Sequence, residues 1–282
     1  MSGTAMTTRE LGDFLRSRRD ALTPEQAGID SYGMRRVPGL RREELAQLAG
    51  VSVAYYTRLE QGQSTGASDS IIDALARALQ LHDDERTHLF ALARPRPAPR
   101  RRQPRPEHPT PGGLRLVEAM TGVSAILLGR RNDVLAWNPL AHALFAGHLP
   151  LDAPQDTERR PNLVRMLFLD AHTRELYRDW DDEAALLVAS LRFVAGRDPD
   201  DRALAELIGE LSVRSSTFAS LWAKHSVRLC SSGTKHLHHP EVGDLDLDYE
   251  AVHFPDADGQ RLVLHTAAPG SHTADALTLL AR

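Results

Sequence analysis

Residues 41–62 concentrate side chains that could bind a polyanion. Their sequence is RREELAQLAGVSVAYYTRLEQG, in which arginines precede a group of hydroxyl-bearing residues. Arginine is suited to phosphate oxygens, and hydroxyl groups can hydrogen-bond to phosphates or to the edges of bases. This chemistry is typical of nucleic-acid binding, and it requires an element that presents the side chains together.

The same residues have the pattern of a helix-turn-helix. A first helix is expected to end near Gly50, because a sharp turn with positive φ costs glycine little. Ser52 can accept a hydrogen bond from a free N–H at the start of a second helix, whose buried face would include Tyr56 and Leu59. Such a unit places its second helix in the major groove of DNA. The alternative is an ordinary helical hairpin within another fold.

The first turns of this second helix supply the predicted base contacts. In this docking geometry they approach base edges, where the methyl groups of Val53 and Ala54 suit thymine. Thr57 and Arg58 could make polar contacts with bases, and the Tyr55 hydroxyl and the preceding arginines suit phosphates. The predicted DNA-binding residues are Arg35, Arg36, Arg41, Arg42, Ser52, Val53, Ala54, Tyr55, Thr57 and Arg58.

Length and composition fit a two-domain protein of the cytoplasm. The chain has 282 residues and one cysteine, Cys230, so it cannot form an intramolecular disulfide. Its first residues lack the apolar run of a signal peptide, and no segment approaches the ~20 apolar residues of a membrane-spanning helix. The net charge of −4 is uneven: residues 1–111 carry an excess of basic side chains and residues 112–282 an excess of acidic ones.

The chain divides into three segments. Residues 1–93 are predicted to form an all-α, five-helix DNA-binding domain that contains the helix-turn-helix. Residues 94–111, RPRPAPRRRQPRPEHPTP, contain seven prolines and six arginines, which indicate an extended linker. The arginines of this linker either keep it solvated or add contacts to phosphates.

Residues 112–282 are predicted to form an α+β domain. Two strands, VSAILLG and DVLAW, are followed by several helices and then by further strands, DLDLDYEAVHF and RLVLHTA. In the first of these later strands Leu245, Leu247 and Tyr249 alternate with aspartates, so the leucines and the tyrosine are expected to face inward. This order is typical of a PAS-like domain with an antiparallel sheet.

The sequence resembles a known family at both ends. PGLRREELAQLAGVSVAYYTRLEQG is similar to the lambda-repressor-like, xenobiotic-response-element type of DNA-binding domain and, more narrowly, to the MmyB-like regulators. RRNDVLAWNPLAHALF, NLVRMLFLD, FASLWAKHSV and HPEVGDLDLDYE are similar to the ligand-binding domain of that family. The resemblance implies a ligand-responsive transcription factor whose PAS-like domain holds a fatty-acyl ligand. Similarity to the repressor head also implies a pair between Arg19 and Glu60.

Large aromatic residues in the second domain are candidates for lining a cavity. A fatty acid is the expected ligand, with no other cofactor, and an arginine could bind its acidic head group. The predicted ligand-binding residues are Trp137, Phe145, Arg165, Phe168, Arg192, Phe218 and Trp222. The expected partners are this amphiphile and double-stranded DNA, read by a homodimer on an inverted repeat with half-sites ~34 Å apart.

Two other functions are compatible with the sequence. His236, His238 and His239, with Glu241, Asp244 and His253, could form the metal site of a hydrolase. However, no HExxH or CxxC pattern and no GxSxG nucleophile motif is present. A DNA-binding protein whose second domain only dimerises is the other alternative. Metal content would test the first alternative, and the presence of a cavity would test the second.

Overall fold

A computed structural model of the chain describes residues 2–29, 37–63, 66–94, 107–255, 257 and 259–281, with the backbone alone for residues 2–8. It confirms the predicted fold class, since an all-α head precedes an α+β region with an antiparallel sheet.

The described part of the head contains the five predicted helices. They are α1 (Ser2–Ala21), α2 (Arg42–Leu48), α3 (Val53–Glu60), α4 (Asp69–Ala78) and α5 (Asp83–Ala93). Most of the predicted linker, residues 95–106, lies outside the described residues. Helix α6 (Pro111–Ala119) begins at the last residue of that linker, where the Thr110 hydroxyl accepts a hydrogen bond from Gly113 N at 3.1 Å.

Local sequence explains the helix-turn-helix. Gly50 has a φ of +67°, a value that glycine adopts without strain, and this ends α2 sharply. Ser52 caps α3, because its Oγ accepts a hydrogen bond from Tyr55 N at 3.2 Å. Tyr56 and Leu59 are fully buried and fix the inner face of α3 against the other helices.

Among the described residues, the remaining elements are one α-helix, two strands, six α-helices, three strands and a last α-helix. After α6 they are β1 (Ser124–Leu128), β2 (Val134–Trp137), α7 (Pro139–Ala146), α8 (Leu163–Leu169), α9 (Ala171–Leu176), α10 (Trp180–Arg197), α11 (Arg202–Arg214), α12 (Ser216–Ala223), β3 (Ser232–His239), β4 (Gly243–His253), β5 (Arg261–Thr266) and α13 (His272–Leu280). A short 3-10 helix, Ala153–Gln155, lies between α7 and α8.

The described strands form one antiparallel sheet in the order β2-β1-β5-β4-β3. Leu245, Leu247 and Tyr249 of β4 are buried on its inner face, as predicted, and the aspartates between them are exposed. Pairing of β1 with β5 sets Leu128 opposite Arg261. The sheet therefore brings the start of β5 beside the turn that joins β1 to β2.

Asn138 fixes the junction between β2 and α7. Its buried Oδ1 accepts hydrogen bonds from Ala141 N at 2.9 Å and from Ala125 N at 3.1 Å. Its Nδ2 donates to the carbonyl oxygens of Val123 at 2.7 Å and Met120 at 3.1 Å. One amide side chain thus caps a helix and holds the segment that enters β1.

The chain separates into two compact units. The head unit comprises Met1–Gln103 together with Arg192–Arg202 and Leu221–Leu229, and the sheet unit comprises Pro104–Leu191, Ala203–Ser220 and Cys230–Arg282. Within the head unit, Phe193 and Val227 are buried in the same apolar core as the residues of α1 to α5. The core of the head unit therefore includes residues far beyond the predicted boundary at residue 93.

Candidate DNA-binding surface and ligand cavity

The start of α3 is open to solvent, as its predicted contact with bases requires. Ser52, Val53, Ala54 and Arg58 are exposed, and Thr57 is partly buried. Tyr55 is also partly buried and packs against the head core, so that much of its ring supports the fold. The exposed side chains offer methyl groups, a hydroxyl and a guanidinium, a set that can contact both bases and phosphates.

The predicted phosphate contacts differ in their surroundings. Arg41 is exposed at the start of α2, where its backbone N donates to Glu44 Oε2 at 2.7 Å. Arg42 is partly buried, and its Nη2 lies 3.0 Å from Glu60 Oε1. Arg35 and Arg36 lie outside the described residues.

Glu60, at the end of α3, is the centre of an ion-pair network. Its side chain is fully buried, and the Arg19 Nη2 and Nε donate to its two oxygens at 3.0 and 3.1 Å. This confirms the pair that the family resemblance implied. The network extends further, because Arg42 and the Nε of Arg16 also contact Glu60 Oε1, at 3.0 and 3.3 Å.

The electrostatics of this network favour an ionised glutamate. Burial alone would raise the pKa of Glu60, but the hydrogen bonds from Arg19 and Arg42 outweigh it and lower the pKa to about 2. Arg16, Arg19 and Arg42 all contact Glu60, and Arg19 also contacts Asp20, while the guanidinium groups of Arg16 and Arg42 are about half exposed. An excess of positive charge therefore lies beside α3, where it can attract phosphate.

A cavity lies within the sheet unit, and its empty space amounts to about 800 Å³ when the part that is open solvent is included. It is bounded by the inner face of the sheet and by α7 to α10. Its apolar lining residues are Ile126, Leu128, Phe145, Leu163, Met166, Leu167, Leu186, Leu187 and Val263. Its lining residues with polar groups are Asn132, Thr173, Tyr177, Glu183, Ser190, Cys230, Lys235, Tyr249, Arg261 and His265.

An ion pair forms part of the cavity wall. Lys235 Nζ lies 2.6 Å from Glu183 Oε1, and both side chains are largely buried. The same ammonium group lies 4.5 Å from the centre of the Tyr249 ring, within the range of a cation–π contact. The charge of Lys235 is therefore balanced by the protein itself.

Arg261 and Asn132 form a second polar part of the wall. Arg261 Nη1 donates to the carbonyl oxygen of Gly129 at 3.3 Å, and its Nη2 donates to Asn132 Oδ1. Asn132 is 1% exposed, and its Nδ2 is without a hydrogen-bond partner among the described residues.

Burial favours the uncharged form of three other lining residues, which are His265, Tyr177 and Cys230. Burial and the nearby charge of Lys235 lower the pKa of His265 to about 3, so its ring is neutral at physiological pH. Burial also raises the pKa of Tyr177 well above its ordinary value and raises the pKa of the Cys230 thiol. The described lining therefore carries its charges on Lys235, Glu183 and Arg261.

The predicted ligand-binding residues fall into different places. Phe145 lines the cavity. Trp137 donates from Nε1 to Leu151 O at 2.6 Å, and Phe168 packs edge-on against Phe218, with the ring centres 5.2 Å apart. Arg165 is exposed and pairs with Glu210 at 2.9 Å. None of these residues except Phe145 is part of the described cavity lining.

Arg192 and Trp222 belong to the head unit. The Arg192 guanidinium lies 3.9 Å from the centre of the Trp222 ring and donates to its backbone oxygen. Sequence reasoning favoured these side chains because they are large or basic. It had no signal for Arg261 or Lys235, apart from their alternation with apolar residues on strands.

The histidines proposed as a metal site point to different partners. His236 Nδ1 lies 2.7 Å from Asp246 Oδ1, and His238 Nδ1 lies 2.6 Å from Asp244 Oδ1 on the exposed face of the sheet. His239 is on the inner face, where its Nε2 lies 3.1 Å from Ala143 O. In the part of the chain that the structure describes, no group of three or more His, Cys, Asp or Glu side chains is arranged to hold a metal ion.

Comparison with known proteins gives two matches. A family described as the MmyB-like transcription regulator ligand binding domain matches residues 109–280, and one described as a helix-turn-helix domain matches residues 10–89. No curated protein matches the chain significantly. Across the described residues, none of the helices combines the length and apolar character needed to cross a bilayer.

Proposed function

We propose that an amphiphilic small molecule controls the affinity of this protein for an operator. The premise is that the chain belongs to the family of MmyB-like transcription regulators. The family and the helix-turn-helix make it a DNA-binding regulator with a ligand-binding domain. The observation that carries the proposal is the partly open cavity, in which nine apolar residues line the wall together with a smaller number of charged groups. The strand order β2-β1-β5-β4-β3 supports a PAS-like sensor, and the two matched domains support a regulator of the cytoplasm without enzymatic activity.

The exposed start of α3 supports the proposed contacts with DNA. We expect Thr57→Ala to change the preference among operator sequences, and Arg41→Ala to weaken binding to all duplexes and reduce the salt dependence. The matched control is Arg86→Ala, because Arg86 lies on α5, outside the helix-turn-helix, and pairs with Asp73 at 2.6 Å. Electrophoretic mobility shifts at several salt concentrations test this. Equal affinity of Arg41→Ala and Arg86→Ala for duplex DNA would contradict the assignment.

A fatty-acyl chain or a similar amphiphile is the proposed ligand. Each methylene group removed from water contributes ~0.8 kcal/mol, so an apolar wall can hold an acyl chain with few polar contacts. To regulate, the ligand must bind the DNA-competent and incompetent states with different affinity. Mass spectrometry of molecules extracted from the purified protein tests the ligand class. Titration should then change operator affinity and ligand affinity by the same factor.

A homodimer on an inverted repeat is the proposed DNA-bound form. One recognition helix reads only a few base pairs, so useful specificity requires two heads about one DNA turn apart, ~34 Å. Light scattering and footprinting test this together. A monomeric mass in solution combined with protection of a single half-site would contradict it.

A further inference from the structure

The turn between β1 and β2 holds one amide side chain in a defined position beside the cavity. Asn132 has a φ of +68°, its backbone N donates to Gly129 O at 3.0 Å, and its own carbonyl accepts from Leu163 N at 3.0 Å. Asparagine is among the few residues that tolerate this conformation. The side chain is thus fixed by its backbone and reaches Arg261 at the start of β5.

Arg261 and Asn132 have more hydrogen-bond donors than the described residues around them supply acceptors. The Arg261 guanidinium has five N–H groups, and its contacts within the described structure are the oxygens of Gly129 and Asn132, both neutral. Because Asn132 Oδ1 accepts from Arg261, the remaining polar group of the amide is Nδ2, which is buried and lacks an acceptor among the described residues. A buried donor without an acceptor is costly, so an acceptor supplied by a ligand would be stabilising at this position.

The ion pairs of the cavity also indicate that Arg261 lacks a partner of opposite charge in the part of the chain that the structure describes. Across the described residues, no carboxylate is in ion-pair contact with Arg261, whereas Lys235 has Glu183 at 2.6 Å. Glu107 acts on Arg261 without contact, and its own Oε1 lies 3.3 Å from Arg130 Nε. Among the described lining residues, Arg261 therefore carries a positive charge without a carboxylate in contact with it.

We propose that Arg261 and Asn132 bind the carboxylate of the ligand and select acids over neutral amphiphiles. The inference rests on the proposed function, that is, on an amphiphile occupying the cavity. A planar carboxylate can accept from the guanidinium and from the Asn132 amide together, and hydrogen bonds to charged groups are stronger than those between neutral groups. An alcohol of the same chain length would accept fewer of these hydrogen bonds and could not form an ion pair with Arg261.

Displacement of a neutral fluorescent probe, N-phenylnaphthylamine, from the full-length protein provides the test. We expect decanoate to displace the probe at a concentration at least about tenfold lower than decanol does. Decanol is the more hydrophobic of the two, so hydrophobic partition alone would give the opposite order. Equal displacement by both, or stronger displacement by decanol, would overturn the anion site while supporting an amphiphile in the cavity.

Two variants test whether Arg261 and Asn132 cause the preference for decanoate. Arg261→Gln removes the charge, and Asn132→Asp keeps the side-chain shape while adding a carboxylate that would pair with Arg261 and repel the ligand. Each should weaken decanoate binding by about tenfold to a hundredfold and leave decanol binding within twofold, which also shows that the variant is folded. The control is Arg165→Gln, which removes an exposed arginine that pairs with Glu210.

The outcomes separate the two proposals. If Arg165→Gln rather than the other two lowers decanoate binding, or if all variants bind decanoate as the wild type does, the assignment of Arg261 and Asn132 is wrong. Should Arg261→Gln not fold, the wild-type preference and Asn132→Asp decide the matter. If the wild type binds neither the probe, decanoate nor decanol, the proposed function fails and this inference fails with it.

Discussion

Replacement of Glu60 with glutamine should lower the free energy of local opening of helix α3 by about 3 kcal/mol at neutral pH. The pKa of Glu60 is lowered from an ordinary value of 4.5 to about 2, and each pKa unit corresponds to ~1.4 kcal/mol of interaction with the ionised form. Glutamine keeps the shape but removes the charge, which leaves Arg19, 7% exposed, without its main counterion. The Asp20 carboxylate, 2.7 Å from Arg19 Nη1, should offset part of this loss.

The pH dependence of this effect has a defined sign. Because the folded-state pKa of Glu60 lies below its ordinary value, the ionised glutamate stabilises the head fully above about pH 4.5. That contribution is lost as the pH falls from 4.5 through about 2, where the wild-type carboxylate becomes protonated. The difference between wild type and Glu60→Gln should therefore be largest at neutral pH and should shrink across this window.

Hydrogen exchange of the α3 amides, followed by mass spectrometry, measures the free energy of local opening. The control is Glu43→Gln, which removes an exposed carboxylate from the first turn of α2 and should change protection by less than about 0.5 kcal/mol. Equal protection in Glu60→Gln and wild type at neutral pH would refute the network as a source of stability. A difference that persists unchanged down to pH 2 would refute its attribution to the ionised carboxylate.

Two further predictions concern packing and hydrogen bonding. Asn138→Ala should destabilise the sheet unit by about 3 kcal/mol in urea denaturation, because it removes the acceptor for Ala125 N and the helix cap of α7 together; a loss below about 1 kcal/mol would contradict this. Gly196→Ala should destabilise the head unit by about 1–3 kcal/mol, since a Cβ there would lie closer than 3.0 Å to the His88 ring. Gly209→Ala is its control, because a Cβ at that helical position meets nothing within 4 Å and should stabilise the protein slightly in thermal unfolding.

The head could be predicted from sequence because its determinants are local. The turn at Gly50 and the cap at Ser52 depend on residues within one or two positions, and the structure shows both. The pair between Arg19 and Glu60 joins residues 41 positions apart, and only the resemblance to a known head could supply it. The extension of that network to Arg16 is visible afterwards as a spacing of one helical turn from Arg19.

Most of the cavity lining could not be predicted because strand register and side-chain partners decide which residues form it. Arg261 reaches Asn132 across 129 residues of sequence, and this contact depends on the pairing of β1 with β5. The chemistry of Arg165 suits a carboxylate equally well, yet this residue lies on the outer side of α8 and pairs with Glu210. Likewise, His238 and His239 are neighbours in sequence but lie on opposite faces of β3. Their closeness in sequence therefore does not bring their side chains together.

The two proposed anion sites differ in burial, and this difference has a measurable consequence. The guanidinium group of Arg42 beside α3 is about half exposed, so the contact with phosphate predicted for it would be screened by salt and would release counterions. The Arg261 side chain lies in a largely apolar wall, where a bound carboxylate is shielded from the ions of the solvent. Raising the salt from about 50 to 200 mM should therefore weaken operator binding by orders of magnitude. Decanoate binding, measured by displacement at the same salt concentrations, should change by less than about threefold. A decanoate affinity that falls as steeply as the operator affinity would show that the carboxylate is bound at the surface rather than in the cavity.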